Sequence, residues 1–206
     1  MFHPLYIQLL SNLLIPVLGF WMWNWSLYFI LLFYILDIVS SEMVHFLKIR
    51  KIKTIQKQSV IPVPTKVYSF VSLLFIAVII VEINIGMKLY HPELVFGKEI
   101  WDFLMYKEMG IPQGFVLLPL VGLMAYTSYK AEFLMPKLYL HQAEKPLWKY
   151  HLKAHFLLLA FCAVLTLLAV AYQFPEWVAL TVILVVTTGY NYLQGRERMK
   201  GNYIIP

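Results

Sequence analysis

Cysteine is nearly absent. The chain of 206 residues holds one, Cys162, inside an apolar run, so no intrachain disulfide and no multi-thiolate metal site can be built from it. Charge is also scarce. Asp, Glu, Lys and Arg make up 14% of the residues, against about 25% in ordinary soluble domains. Acids are the scarcer sign, eleven against seventeen Lys and Arg. There is no glycine-rich phosphate loop, no internal repeat and no low-complexity tract. The first apolar segment has no Lys or Arg before it and no small-residue cleavage site after it, so it reads as a retained segment rather than a signal peptide. The composition excludes a disulfide scaffold, a disordered chain and a soluble nucleic-acid binder.

What the sequence has instead is apolar surface. Hydrophobic residues reach 61% and mean hydropathy is +0.70. A soluble domain of this size cannot bury that much, so the expected class is an all-α polytopic membrane bundle. About 20 apolar residues are needed to cross the hydrocarbon. Six segments qualify, near 5–22, 25–47, 66–88, 112–131, 150–173 and 176–194. Together they predict a single transmembrane domain over 1–206. Trp21, Trp23 and Trp25 hold the first short turn, as suits indoles at headgroup level. Pro175 separates the last two spans, ending one helix and fitting the first turn of the next.

Basic residues predict the orientation. Fourteen Lys and Arg fall after spans two, four and six, and three (Lys88, Lys98 and Lys107) on the opposite side. The positive-inside rule then places both termini in the cytoplasm. The formal charge of +6 reads as topology with some attraction to anionic lipid, not as a nucleic-acid signal. Residues 89–111 form the outer loop, where Ile100, Trp101, Phe103 and Leu104 suggest a short surface helix.

Ionisable residues within a bilayer are costly and therefore candidates for function. Asp37 lies eleven residues before Lys48, about 16 Å along a helix and so near mid-membrane. Asp37, Ser41 and His45 recur every four residues and stack on one helix face. Glu42 and His45 make a Glu-x-x-His pair, the spacing by which carboxylate bundles set two ligands on one metal. His151 and His155 are again four apart, so one turn brings two imidazole donors together. The candidate metal ligands are His45, His151 and His155, and the candidate catalytic groups are Asp37, Ser41 and Glu42. A plainer reading stands beside this one. His151 and His155 lie among Lys149, Tyr150 and Lys153, as interfacial imidazoles would. Asp37 suits a structural hydrogen bond to Ser11, Asn12, Thr187 or Asn191 equally well. Glu82 and Asn84 suit pairing with Lys88 one turn later or contact with water at the outer surface, and carry no assigned role.

Ser41-x-x-x-His45 with His151-x-x-x-His155 resembles the pattern of the CREST membrane hydrolases, among them alkaline ceramidases and the adiponectin-receptor type. The resemblance implies zinc on His45, His151 and His155, water held by Ser41, Asp37 as base, and a lipid amide or ester as substrate. Six spans replace that superfamily's seven, and the histidine pair falls on the fifth. Asn12 and Pro16, then Trp25, Ser26 and Leu27, then Tyr34 and Asp37, resemble a group of uncharacterised bacterial polytopic membrane proteins. That likeness implies the cell inner membrane as setting and names no activity. Three further readings stay open. One is a bis-histidine haem between His45 and His155. Another is a non-catalytic accessory subunit of a larger membrane complex, with 201–206 as a tail that a partner would hold. The last is a small transporter or proton-coupled protein with Asp37 as relay, which lacks the inverted repeats and broken helices of many transporters. Membrane lipid and other membrane subunits are the expected partners, and nucleic acid is not.

Overall fold

The structure is a computed structural model, and it describes residues 4–56, 65–105 and 113–200. The tail 201–206 lies outside the described residues. Among those described, the chain is helical with no strand. The helices are α1 (Pro4–Met22), α2 (Leu27–Gln56), α3 (Thr65–Tyr90), α4 (Phe96–Met105), α5 (Gln113–Tyr129), α6 (Glu144–Tyr172) and α7 (Glu176–Lys200). A π-helical turn at Lys130–Leu134 and a 3-10 turn at Leu138–Leu140 lie between α5 and α6. Among the described residues three helices, Leu27–Gln56, Lys66–Tyr90 and Pro146–Tyr172, are long and apolar enough to cross a membrane.

The helices follow the expected segments, and the short turns have local causes. Asn24 and Gln173 take left-handed backbone at φ 50° and 44°, which turns the chain in few residues. The Gly19 carbonyl accepts from the backbone N–H groups of Trp23 and Trp25, at 3.2 and 2.9 Å. Trp25 then folds over Gly19, where a Cβ would stand 2.2 Å from its ring. Only glycine leaves that space. Ser26 Oγ accepts from the Phe29 N–H at 3.1 Å, the N-cap bond that starts α2.

The chain divides into two compact units. One comprises Met1–Leu31, Glu82–Leu94 and Lys153–Pro206, the other Leu32–Val81 and Val95–Leu152. In the first unit α1 packs on α7. Tyr28 Oη donates to Asn84 Oδ1 at 2.8 Å. Lys88 donates to the carbonyls of Pro92 and Leu94. Tyr90 Oη donates to the Phe174 carbonyl. His91 Nδ1 lies 3.0 Å from Glu93 and its Nε2 lies 3.1 Å from Glu176. Glu93 is fully exposed, and its carboxyl is held below the usual carboxylate range by its own backbone N–H first and by His91 next.

In the second unit the short helix expected within 89–111 forms as α4 and buries Phe103, while Ile100 and Trp101 stay exposed. The loop expected from residue 48 is instead about two and a half further turns of α2. The cause is Ile49 and Ile52, which are fully buried. Ile52 packs in a cluster with Tyr129, Phe133 and Leu138. Gln56 Nε2 donates to the carbonyls of Tyr139 and Gln142 at 2.8 and 3.0 Å, which ties down the helix end. The lysines that suggested a loop lay their stems along this core. Lys48, Lys51 and Lys53 place their ammonium groups 5.7, 5.3 and 4.6 Å from the ring centres of Phe133, Tyr139 and Tyr68. Helix α6 likewise begins at Glu144, a turn and a half before the expected span.

Candidate metal centre

The site is built where α2 meets the first turns of α6. Glu42 projects from α2 and His151 from α6, and both are buried, their side chains 4% and 7% exposed. His151 Nε2 lies 3.0 Å from each oxygen of the Glu42 carboxylate. A carboxylate so deep is stable only when paired or coordinated. The charge-assisted bond to imidazole supplies that partner.

His155 follows His151 by one turn of the same unbroken helix and is 3% exposed. Glu42, His151 and His155 can each offer one ligand atom, and these atoms lie within 4.8 Å of one another. It is the one group of three or more His, Cys, Asp or Glu among the described residues with this spacing. Two ligands of a tetrahedral ion at about 2.0–2.1 Å stand roughly 3.3 Å apart. The Glu42–His151 separation of 3.0 Å is close to that, so a cation could replace the shared proton with little movement of either helix.

His45 does not join the group. Its ring stacks on that of His151, with centres 3.5 Å apart and planes 10° from parallel. The α2 position that converges with the two imidazoles of α6 is Glu42, three residues earlier. The Glu42 carboxylate meets His151 across the helices. Asp37 and Ser41 are half-buried on α2 and stand outside the group. Asp37 is five residues from Glu42, about 7.5 Å along the axis and some 140° around it.

Two aromatic residues complete the surroundings, and the sequence reading missed both. Trp148 lies 6.2 Å from the His45 ring and 6.3 Å from the His151 ring. Tyr68 of α3 meets Trp148 edge-on at 4.4 Å. The place of Trp148, three before His151, was the available signal, since residues at that spacing share a helix face. For Tyr68 no sequence signal existed, because the α2–α3 connection fixes nothing about which face of α3 turns inward.

Comparison of the chain with known protein families, with curated proteins and with solved structures finds no match. The function must be argued from the site alone.

Proposed function

We propose that the protein is a membrane-embedded metal-binding protein, with Glu42, His151 and His155 as the protein ligands of a divalent cation. The observation that carries this reading is a buried carboxylate and two buried imidazoles whose ligand atoms lie within 4.8 Å of one another. Two nitrogens and one carboxylate oxygen are the donor set of many catalytic zinc sites, which keep a fourth position open. A haem fits less well, because the polar group beside His155 is a carboxylate and a second imidazole.

The membrane setting rests on outward-facing side chains. In α3, Phe70, Leu73 and Val81 are exposed, and in α6 Phe156, Val164 and Leu167 are too. Faces of this extent call for hydrocarbon or a partner rather than water. We take six spans with both ends in the cytoplasm of a cell inner membrane as the full topology. The candidate site then lies at the cytoplasmic side.

The activity we propose is hydrolysis of a lipid amide or ester. A bound zinc ion would polarise the carbonyl and lower the pKa of water toward 7. Glu42 and His151 hold each other in one orientation, and the His45 and Trp148 rings wall the site. The competing role, a non-catalytic accessory subunit, predicts stable co-purifying chains and no metal. The test is metal analysis of the purified protein beside His151→Ala and His155→Ala variants. One equivalent of zinc in the parent, lost in both variants, supports the proposal. Equal metal in all three ends it.

A further inference from the structure

The end of α3 and the start of α7 meet on a single imidazole. His91 closes α3, its backbone N–H donating to the Met87 carbonyl at 2.7 Å. Its Nδ1 lies 3.0 Å from Glu93 Oε1, in the same turn of chain, and its Nε2 lies 3.1 Å from Oε1 of Glu176 in the first turn of α7. All three residues belong to the first unit, and the metal centre uses none of them. Both ring nitrogens therefore face a carboxylate. A carboxylate only accepts, and a neutral imidazole carries one N–H. The neutral ring can donate to Glu93 or to Glu176, and its bare nitrogen then faces the lone pairs of the other. The protonated ring donates to both at once, through bonds that are charge-assisted.

The other titratable groups around this ring have their own partners. Lys88 of α3 donates to the carbonyls of Pro92 and Leu94, and its charge also acts on Glu93. Tyr90 sets its ring edge-on to His91 at 4.6 Å and donates its hydroxyl to the Phe174 carbonyl. Tyr172, at the end of α6, stacks on Phe174. The Tyr90–Phe174 bond joins the same two parts of the chain and does not depend on the charge of His91. The imidazole is 27% exposed, and the Glu176 and Glu93 side chains are 45% and 75% exposed, so a proton from the aqueous phase reaches the ring directly.

We propose that His91, Glu93 and Glu176 form a proton-operated latch. Protonated His91 bridges the two carboxylates and holds residues 91–94 on the start of α7. Loss of one proton breaks one of the two bonds and lets the segments part, while Tyr90 keeps the opening local. Closing takes up a proton, so the closed population rises as pH falls through the range where imidazoles titrate. The latch is independent of the metal reading above.

The experiment is amide hydrogen exchange of the purified full chain in detergent, read by mass spectrometry at about pH 5.5 and about pH 8.5, on either side of the imidazole range. The parent is compared with His91→Gln and Glu176→Gln, and variant-to-parent ratios within one pH cancel the intrinsic pH dependence of exchange. The reporting amides are Leu94, bonded to the His91 carbonyl, and Val178 and Ala179, bonded to the Pro175 carbonyl. At the acid pH these amides should exchange about two- to fivefold faster in His91→Gln, the order expected for ion pairs this exposed. At the alkaline pH the ratio should approach one. Glu176→Gln should exchange like the parent at the acid pH and more slowly than the parent at the alkaline pH, because its amide can accept from a ring N–H or donate to a bare ring nitrogen. A His91→Gln ratio that is the same at both pH values overturns the latch. So does a Glu176→Gln protein that loses protection as pH rises to the same extent as the parent.

Discussion

Replacing Glu42 by Gln separates a ligand from a structural hydrogen-bond partner. The carboxylate is 4% exposed and has both oxygens 3.0 Å from His151 Nε2. In the metal-free protein the amide oxygen of Gln can still accept from that nitrogen. A charge-assisted bond of about 1.5–3 kcal/mol becomes a neutral one of about 0.5–1.5, so the loss is roughly 1–2 kcal/mol. The cost stays below the 3–5 kcal/mol of a broken buried ion pair, because the imidazole can shed its proton. Metal changes the comparison. At a hundredfold excess over Kd, a cation that binds only the folded protein adds about 2.7 kcal/mol, or roughly 5–11 °C in Tm for a chain of this length. An uncharged amide is a poor ligand, so Glu42→Gln should lose most of that gain. The assay is thermal unfolding in detergent with chelator and with zinc, on both proteins. A Glu42→Gln protein that keeps the full zinc-induced rise would refute Glu42 as a ligand. A parent that shows no rise would refute the site.

Replacing His45 by Phe keeps a ring against His151 and should leave metal stoichiometry unchanged by elemental analysis, whereas loss of metal would make His45 a ligand after all. Gly19→Ala forces a Cβ to 2.2 Å from Trp25 and should cost about 1–3 kcal/mol of overpacking, read as a lower Tm. Gly122→Ala, inside α5, meets nothing within 4 Å and should raise stability by roughly 0.5–1 kcal/mol through helix propensity, which makes it the control. The Glu93 carboxyl is lowered by its own backbone N–H and then by His91, so its contribution to stability is present above the ordinary carboxylate value and lost as pH falls through the lowered one. His91→Ala should move the Glu93 titration, followed by carboxyl carbon NMR, upward toward that ordinary value. For topology, a cysteine placed at Lys98 should react with an impermeant maleimide added outside intact cells, and one placed at Arg50 should not; the reverse pattern would invert the orientation.

The helices were legible in the sequence because apolar length and punctuation are local properties. Asn24 and Ser26 mark the start of α2, and Gln173 and Pro175 mark the last turn, within a few residues of where they act. His151 and His155 were legible as a pair for the same reason, since one turn of helix fixes their spacing before anything packs. The lysines after residue 47 misled, because a run of charge looks the same whether it is solvated in a loop or laid over rings. Ile49 and Ile52 settled it for helix, and they gain burial only once Tyr129, Phe133 and Leu138 arrive from far along the chain.

Glu42 was legible as a candidate, through its Glu-x-x-His pair with His45, but that it rather than His45 joins His151 and His155 was beyond the sequence. Asp37, Ser41, Glu42 and His45 all lie on one helix, and spacing alone favoured the face of Asp37, Ser41 and His45. Which face meets α6 depends on how two helices rotate about their own axes, and that is set by packing summed over both. That rotation brings Glu42 to His151, leaves His45 stacked alongside, and brings in Tyr68 and Trp148. The one-dimensional pattern determined which segments are helical and which groups were available for chemistry; the tertiary structure decided which of them meet.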